Sequence, residues 1–131
     1  MRDPVTLKRL ISNPLTLLHL LAIAGSQASL AQEVSLLVQR SSLAGYRYYE
    51  APSLAAAFKP GDTLDLVREP DNPHDTNAIR VDWRGRKIGY IPRKDNAALA
   101  WAMDSGEAVT ARIARVEGLR RRRIAFDVLL R

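Results

Sequence analysis

The stretch TLDLVREPDNPHDTNAIRVDWRGRKIGYIPR, residues 63–93, decides how the chain folds. From Thr63 to Arg68 the apolar Leu64 and Leu66 alternate with polar residues, the period of a half-buried strand. Glu69 to Asn77 is dense in Pro, Asn and Asp, so it reads as an ordered loop or turn. From Ala78 to Trp83 the side chains of Ile79, Val81 and Trp83 share one face. Arg84-Gly85 makes a tight hairpin connection, Arg86 to Ile91 returns as the partner strand, and Pro92 stops it.

Working outward, Val34 to Ser41 is a β-type run. Leu43-Ala44-Gly45 then turns the chain into Tyr46-Arg47-Tyr48-Tyr49, an aromatic segment that favours a strand. Pro52 to Lys59 predicts a short helix ended by Pro60-Gly61. Downstream, Asn96 to Ser105 predicts a second helix, with Leu99 and Met103 one turn apart and Gly106 at the C-terminal cap. Val109, Ala111 and Ile113 alternate, as do Ile124, Phe126, Val128 and Leu130, and Gly118 to Arg123 forms a basic hairpin tip between them. Trp83 and Trp101 are both expected in the core, where large aromatics supply area. About six short strands and two short helices predict a mostly β fold, a small OB-like β-barrel.

The 131 residues are 47% hydrophobic and 26% charged, the composition of one soluble globular domain. The lack of cysteine excludes disulfides and thiolate metal sites. A net charge of +6 and a pI near 10.2 favour an anionic partner, either nucleic acid or an acidic membrane surface. Residues 1–31 have the order of a secretory signal peptide: basic Arg2, Lys8 and Arg9, an apolar run from Leu15 to Ala24, then the small-residue pattern Ser29-Leu30-Ala31. The run is too short for a comfortable membrane span. The same residues also suit an N-terminal apolar helix, with Asn13 as cap, Pro14 at the first position and Gly25 near the end. Cleavage after Ala31 would export the chain and lower its net charge from +6 to +4. Without cleavage the expected location is the cytoplasm.

No glycine-rich phosphate loop, nucleophile elbow or paired-histidine zinc motif is present, so no enzyme, cofactor or metal is expected. Asp71, His74 and Asp75 are the one cluster with ligand chemistry, which leaves metal-dependent hydrolysis as a remote alternative. Asx-rich loops commonly use such side chains to satisfy their own backbone amides.

GYRYYE, at residues 45–50, and the span from Pro60 to Gly106 resemble a HIRAN domain almost end to end. The most specific pieces are REPDNPHDTNAIRV followed by KIGYIPR, and the resemblance extends over residues 34–131. It is to a stand-alone bacterial member, and it implies an OB-like barrel that captures the 3′ end of single-stranded DNA. The family's pocket residues fall on Arg47 and Tyr48, on Asn72, His74 and Asp75, and on Tyr90 and Arg93. His74 stands where the family often has Tyr, and Tyr90 where the best understood members have His. In the roles this implies, Tyr48 or Tyr90 stacks on a base and Asp75 accepts a hydrogen bond from a free 3′ hydroxyl. Arg47, Arg93 and Lys94 neutralise phosphates. Three of these placements have a structural reading beside the functional one. Arg47 and Tyr48 point to opposite faces of a regular strand, so one pocket needs irregular backbone to use both. Tyr90 shares a face with Ile88 and is equally suited to burial, and the arginines at 120–123 suit a solvated hairpin tip as well as DNA backbone contact. An exported envelope protein that reuses the fold for binding or structure is the alternative function.

Overall fold

The computed structural model describes residues 34–118 and 122–131. The expected leader, residues 1–31, and part of the basic hairpin tip, residues 119–121, lie outside them.

Six antiparallel strands make one sheet: β1 (Leu36–Ser42), β2 (Thr63–Arg68), β3 (Ile79–Trp83), β4 (Arg86–Tyr90), β5 (Val109–Glu117) and β6 (Arg123–Leu130). Their order is β1-β6-β5-β2-β3-β4. The mostly β, OB-like expectation holds, but no ladder closes the sheet along its length. Its two ends meet instead at a single bridge, Ala44 opposite Tyr90, in which each residue's N–H donates to the other's carbonyl at 2.9 and 3.0 Å. Curling a sheet this far needs bent strands, and the register slips at three places. One extra residue sits at Val38 in β1, at Ile88 in β4 and at Ala114 in β5. Such bulges bend and twist the strand that carries them.

Two short helices complete the fold, α1 (Ala51–Leu54), continued as a 3-10 turn at Ala55–Ala57, and α2 (Arg93–Asp104). The alternating residues of the strands supply the core: Leu64, Ile79, Val81, Ile88, Ile113, Ile124, Phe126 and Val128 are fully buried. Trp83 joins them at 4% exposure, edge-on to Phe58 at 5.1 Å, with its indole N–H on Asp62 Oδ2 at 3.1 Å.

Three expectations need correction. Tyr46–Tyr48 is a 3-10 turn rather than a strand. Gly45 takes a left-handed backbone (φ 74°), and Tyr48 N–H closes back onto the Gly45 carbonyl at 2.9 Å. Next, α2 begins at Arg93, three residues early, because the Asp95 N–H bonds the Pro92 carbonyl and so starts the first turn there. Finally, Trp101 is 73% exposed. Asn96, Leu99 and Ala100 occupy the buried face of α2 with Met103 packed behind them, and at 3.6 residues per turn Trp101 falls outside that stripe.

Gly89 is what permits the bridge. A Cβ there would collide with the Ala44 carbonyl oxygen and lie 2.8 Å from the Leu43 side chain. Gly89→Ala is therefore expected to lower stability by about 1–3 kcal/mol, the usual range for forcing a methyl into filled space. The urea midpoint should fall accordingly. An unchanged midpoint would show that the bridge contributes nothing.

Candidate functional site

The loop after β2 is built from three consecutive tight turns. Asn72 N–H bonds the Glu69 carbonyl (3.1 Å), Asp75 N–H the Asn72 carbonyl (3.3 Å), and Ala78 N–H the Asp75 carbonyl (3.0 Å). Pro70 and Pro73 each take the second position of a turn, where a fixed φ near −65° is already right. Two Asx side chains tighten the path: Asn72 Oδ1 accepts from His74 N–H and Asp75 Oδ1 from Asn77 N–H, both at 2.9 Å. Arg68 ties the loop to α2, its guanidinium bonding the Ala78 and Thr76 carbonyls while pairing with both oxygens of Asp104.

This loop forms one wall of a cleft of about 380 Å³ lined by Ala44, Tyr49, Asn72, His74, Asp75, Ala78, Lys87, Tyr90, Ile91 and Arg93. Tyr49 and Tyr90 meet edge to face, with ring centroids 5.6 Å apart. The Lys87 ammonium lies over both rings, 4.1 Å from Tyr49 and 4.6 Å from Tyr90. Behind them Glu69 is fully engaged. Its Oε1 accepts from the Tyr90 hydroxyl (2.7 Å) and Asn72 Nδ2 (3.1 Å), and its Oε2 from Arg80 (3.3 Å). Asp75 Oδ2 accepts from Asn96 Nδ2 at 2.8 Å and lies 3.9 Å from Arg93, whose Nη2 bonds the His74 carbonyl.

The protonation states follow from these contacts. Asp75 is held below the usual aspartate range, first by the Asn77 N–H and Asn96 amide and then by Arg93 and Arg68. For Glu69, burial pushes upward, but hydrogen bonds from Tyr90 and Asn72 and the charges of Lys87 and Arg80 outweigh it, so the carboxyl is also lowered. Burial raises the Tyr90 phenol, with Glu69 adding to the shift and Lys87 opposing it.

Of the residues named from sequence, Asn72, His74, Asp75, Tyr90 and Arg93 come together in this cleft. Arg47 and Tyr48 do not. The 3-10 turn places them in a neighbouring hollow of about 650 Å³, with Tyr46, Pro52, Arg122 and Arg123. Lys94 is exposed and lines neither. Among the described residues no group of three His, Asp or Glu side chains is placed to hold a metal, Asp71, His74 and Asp75 included.

Sequence reasoning missed Tyr49, Glu69, Lys87 and Asn96. In a regular strand Lys87 and Tyr90 would face opposite ways, and the extra residue at Ile88 brings them to one side. Asn96 had a usable signal, since a polar residue one turn before Leu99 and Ala100 falls on the buried face of α2.

An OB-like sheet with a basic, aromatic-lined cleft at its seam defines a class of small binding domain. The chain belongs to the HIRAN domain family, whose model matches residues 36–131. HIRAN domains are DNA-binding modules. The chain is 36% identical over 81 residues to the helicase-like transcription factor of Mus musculus and 31% identical over 81 residues to that of Homo sapiens. Each match covers 61% of this chain and 7% of the relative. A crystal structure of a Lactobacillus plantarum protein superposes with a TM-score of 0.68 at 23% identity, covering 74% of this chain and 95% of that one. The crystal structure of the HIRAN domain of human HLTF gives 0.57 at 24%, covering 76% and 80%. Both likenesses concern the fold. No helix among the described residues is long and apolar enough to cross a membrane.

The lowered carboxyls of Asp75 and Glu69 make the cleft acid-sensitive. Their folded values lie below the unfolded ones of about 3.9 and 4.3. Their contribution is therefore complete above those values and is lost as pH falls through the folded ones. Urea midpoints measured from pH 7 to pH 3 should fall on the acid side, and the fall should be shallower for Asp75→Asn. An equally steep fall in that variant would remove Asp75 as a contributor.

Proposed function

We propose that this chain binds single-stranded DNA and seats a 3′ end in the cleft beside Asp75. The observation that carries the reading is the convergence there of an ionised acceptor, two aromatic rings and two cations. A terminal nucleotide offers a hydroxyl, a flat base and a preceding phosphate, and each has a counterpart. Asp75 is acceptor-only when ionised, and a carboxylate has about four lone-pair sites. Asn77 and Asn96 use two of them, which leaves capacity for a 3′ hydroxyl. A terminal phosphate would instead meet a negative charge. Tyr49 and Tyr90 supply stacking surface, worth about 1–3 kcal/mol per base and tolerant of sequence. Lys87 and Arg93 supply phosphate contacts, with His74 at the rim. Membership of a DNA-binding family supports the partner class.

The test is a fluorescence titration of one oligonucleotide carrying either a 3′ hydroxyl or a 3′ phosphate. A hydrogen bond to a charged group contributes about 1.5–3 kcal/mol, so the hydroxyl form should bind about tenfold tighter or better. Asp75→Asn keeps the side-chain shape and removes the charge, and it should close most of that gap. Equal binding of the two ends by the native chain would overturn end recognition.

A further inference from the structure

We infer that Lys87 is a displaceable cover on the stacking surface of the cleft, and that it makes the site select a nucleotide with its phosphate over a bare nucleoside. This rests on the reading of the cleft as the seat of a strand end and adds a specificity-determining residue to it. The Lys87 ammonium lies 4.1 Å from the Tyr49 ring centroid and 4.6 Å from that of Tyr90. Stacked carbon atoms meet at about 3.5–4.0 Å, so the ammonium fills the layer that a base would enter. A base and the resting lysine therefore exclude each other from these ring faces.

The rings are fixed and the cation is loosely held. The Tyr90 hydroxyl is anchored on Glu69 at 2.7 Å, and Tyr49 rests edge to face against Tyr90. Gly45 closes on Tyr49 so tightly that a Cβ there would lie 2.9 Å from Tyr49 Cε2. The Lys87 backbone is pinned as well: it pairs with Asp82 in the β3–β4 ladder, and its carbonyl accepts the Glu50 N–H at 3.2 Å. Its ammonium is different. Among the described residues no carboxylate lies within ion-pair distance of it, and Glu69, already engaged with Arg80, attracts it from farther off. Rotation along the flexible four-carbon stem moves the charge off the rings without shifting the strand. A partly exposed cation is held over a ring only weakly, whereas a phosphate offers a full opposite charge. A strand end brings both the base that needs the ring faces and the phosphate that draws the lysine away. A nucleoside brings only the base, and it must displace the cation with nothing in exchange.

The test is an NMR titration of the full chain with thymidine and with thymidine 5′-monophosphate, which differ by one phosphate. It compares the native chain with Lys87→Met and Lys87→Arg, and thermal melts check that both variants fold. In the free native chain the Lys87 Hε protons should lie upfield under the two rings, and the monophosphate should relieve that shift as it binds. The native chain should prefer the monophosphate by about tenfold or more. Met keeps an unbranched apolar stem and removes the charge. Lys87→Met should therefore bind thymidine about threefold to tenfold tighter than native, the release of a cation–ring contact, and the monophosphate more weakly. Lys87→Arg keeps the charge and should restore the preference. A lysine that only props the rings would lower both affinities together on substitution. Thymidine bound no tighter by Lys87→Met than by the native chain would thus overturn the cover, as would Lys87 Hε protons at their ordinary position in the free chain. Neither result touches the seating of a strand end, provided the monophosphate still shifts the Tyr49 and Tyr90 resonances. A monophosphate that leaves those resonances unmoved in the native chain would overturn the end-seating cleft, and the cover with it.

Discussion

Two backbone hydrogen bonds between Ala44 and Tyr90 join the ends of a sheet that is otherwise open, and the arrangement of the site depends on them. They bring the segment after β1 against the end of β4, so Tyr49 meets Tyr90 and Lys87 lies over both rings. The same junction sets the ridge between the cleft and the arginine hollow. A side chain at position 89 would hold the two backbones apart, which makes an absent methyl group a condition for the whole surface.

The second constraint is electrostatic. Glu69 and Asp75 sit within a basic domain, and their hydrogen bonds and charged neighbours keep both carboxyls ionised. Glu69 spends its oxygens on Tyr90, Asn72 and Arg80, and so acts as a support that fixes the tyrosine ring. Asp75 is partly committed and faces the cleft. Two acids six residues apart in fold-defining turns therefore have different uses, decided by how many donors surround each.

Much of this was legible in the sequence because it follows from period and turn chemistry. The alternation of Leu64 with Leu66, and of Ile79 with Val81 and Trp83, places β2 and β3 correctly, and Arg84-Gly85 marks the hairpin from β3 to β4. The density of Pro and Asx marks the loop that carries Asn72, His74 and Asp75. The misreadings have a common cause in local backbone geometry that side-chain type does not encode. Tyr46 to Tyr48 has strand-favouring residues, but the left-handed Gly45 turns them into a 3-10 segment and separates Arg47 and Tyr48 from the cleft. The bulge at Ile88 reverses the face of Lys87, and period-2 reading had no means to anticipate it. Trp101 was assigned by residue type where helical phase gives the better answer.

The three linked turns from Glu69 to Ala78 also bear on the order in which the site assembles. Each is closed by a hydrogen bond between residues three apart, with prolines already holding two of the corners. Closing so short a loop sacrifices little chain entropy, whereas joining Ala44 to Tyr90 must first gather most of the sheet between them. The wall bearing Asp75 is thus the part of the site favoured to form early and on its own. The seam bearing Tyr49, Lys87 and Tyr90 waits for the two ends of the sheet to meet, and it is there that the two halves of the surface become one.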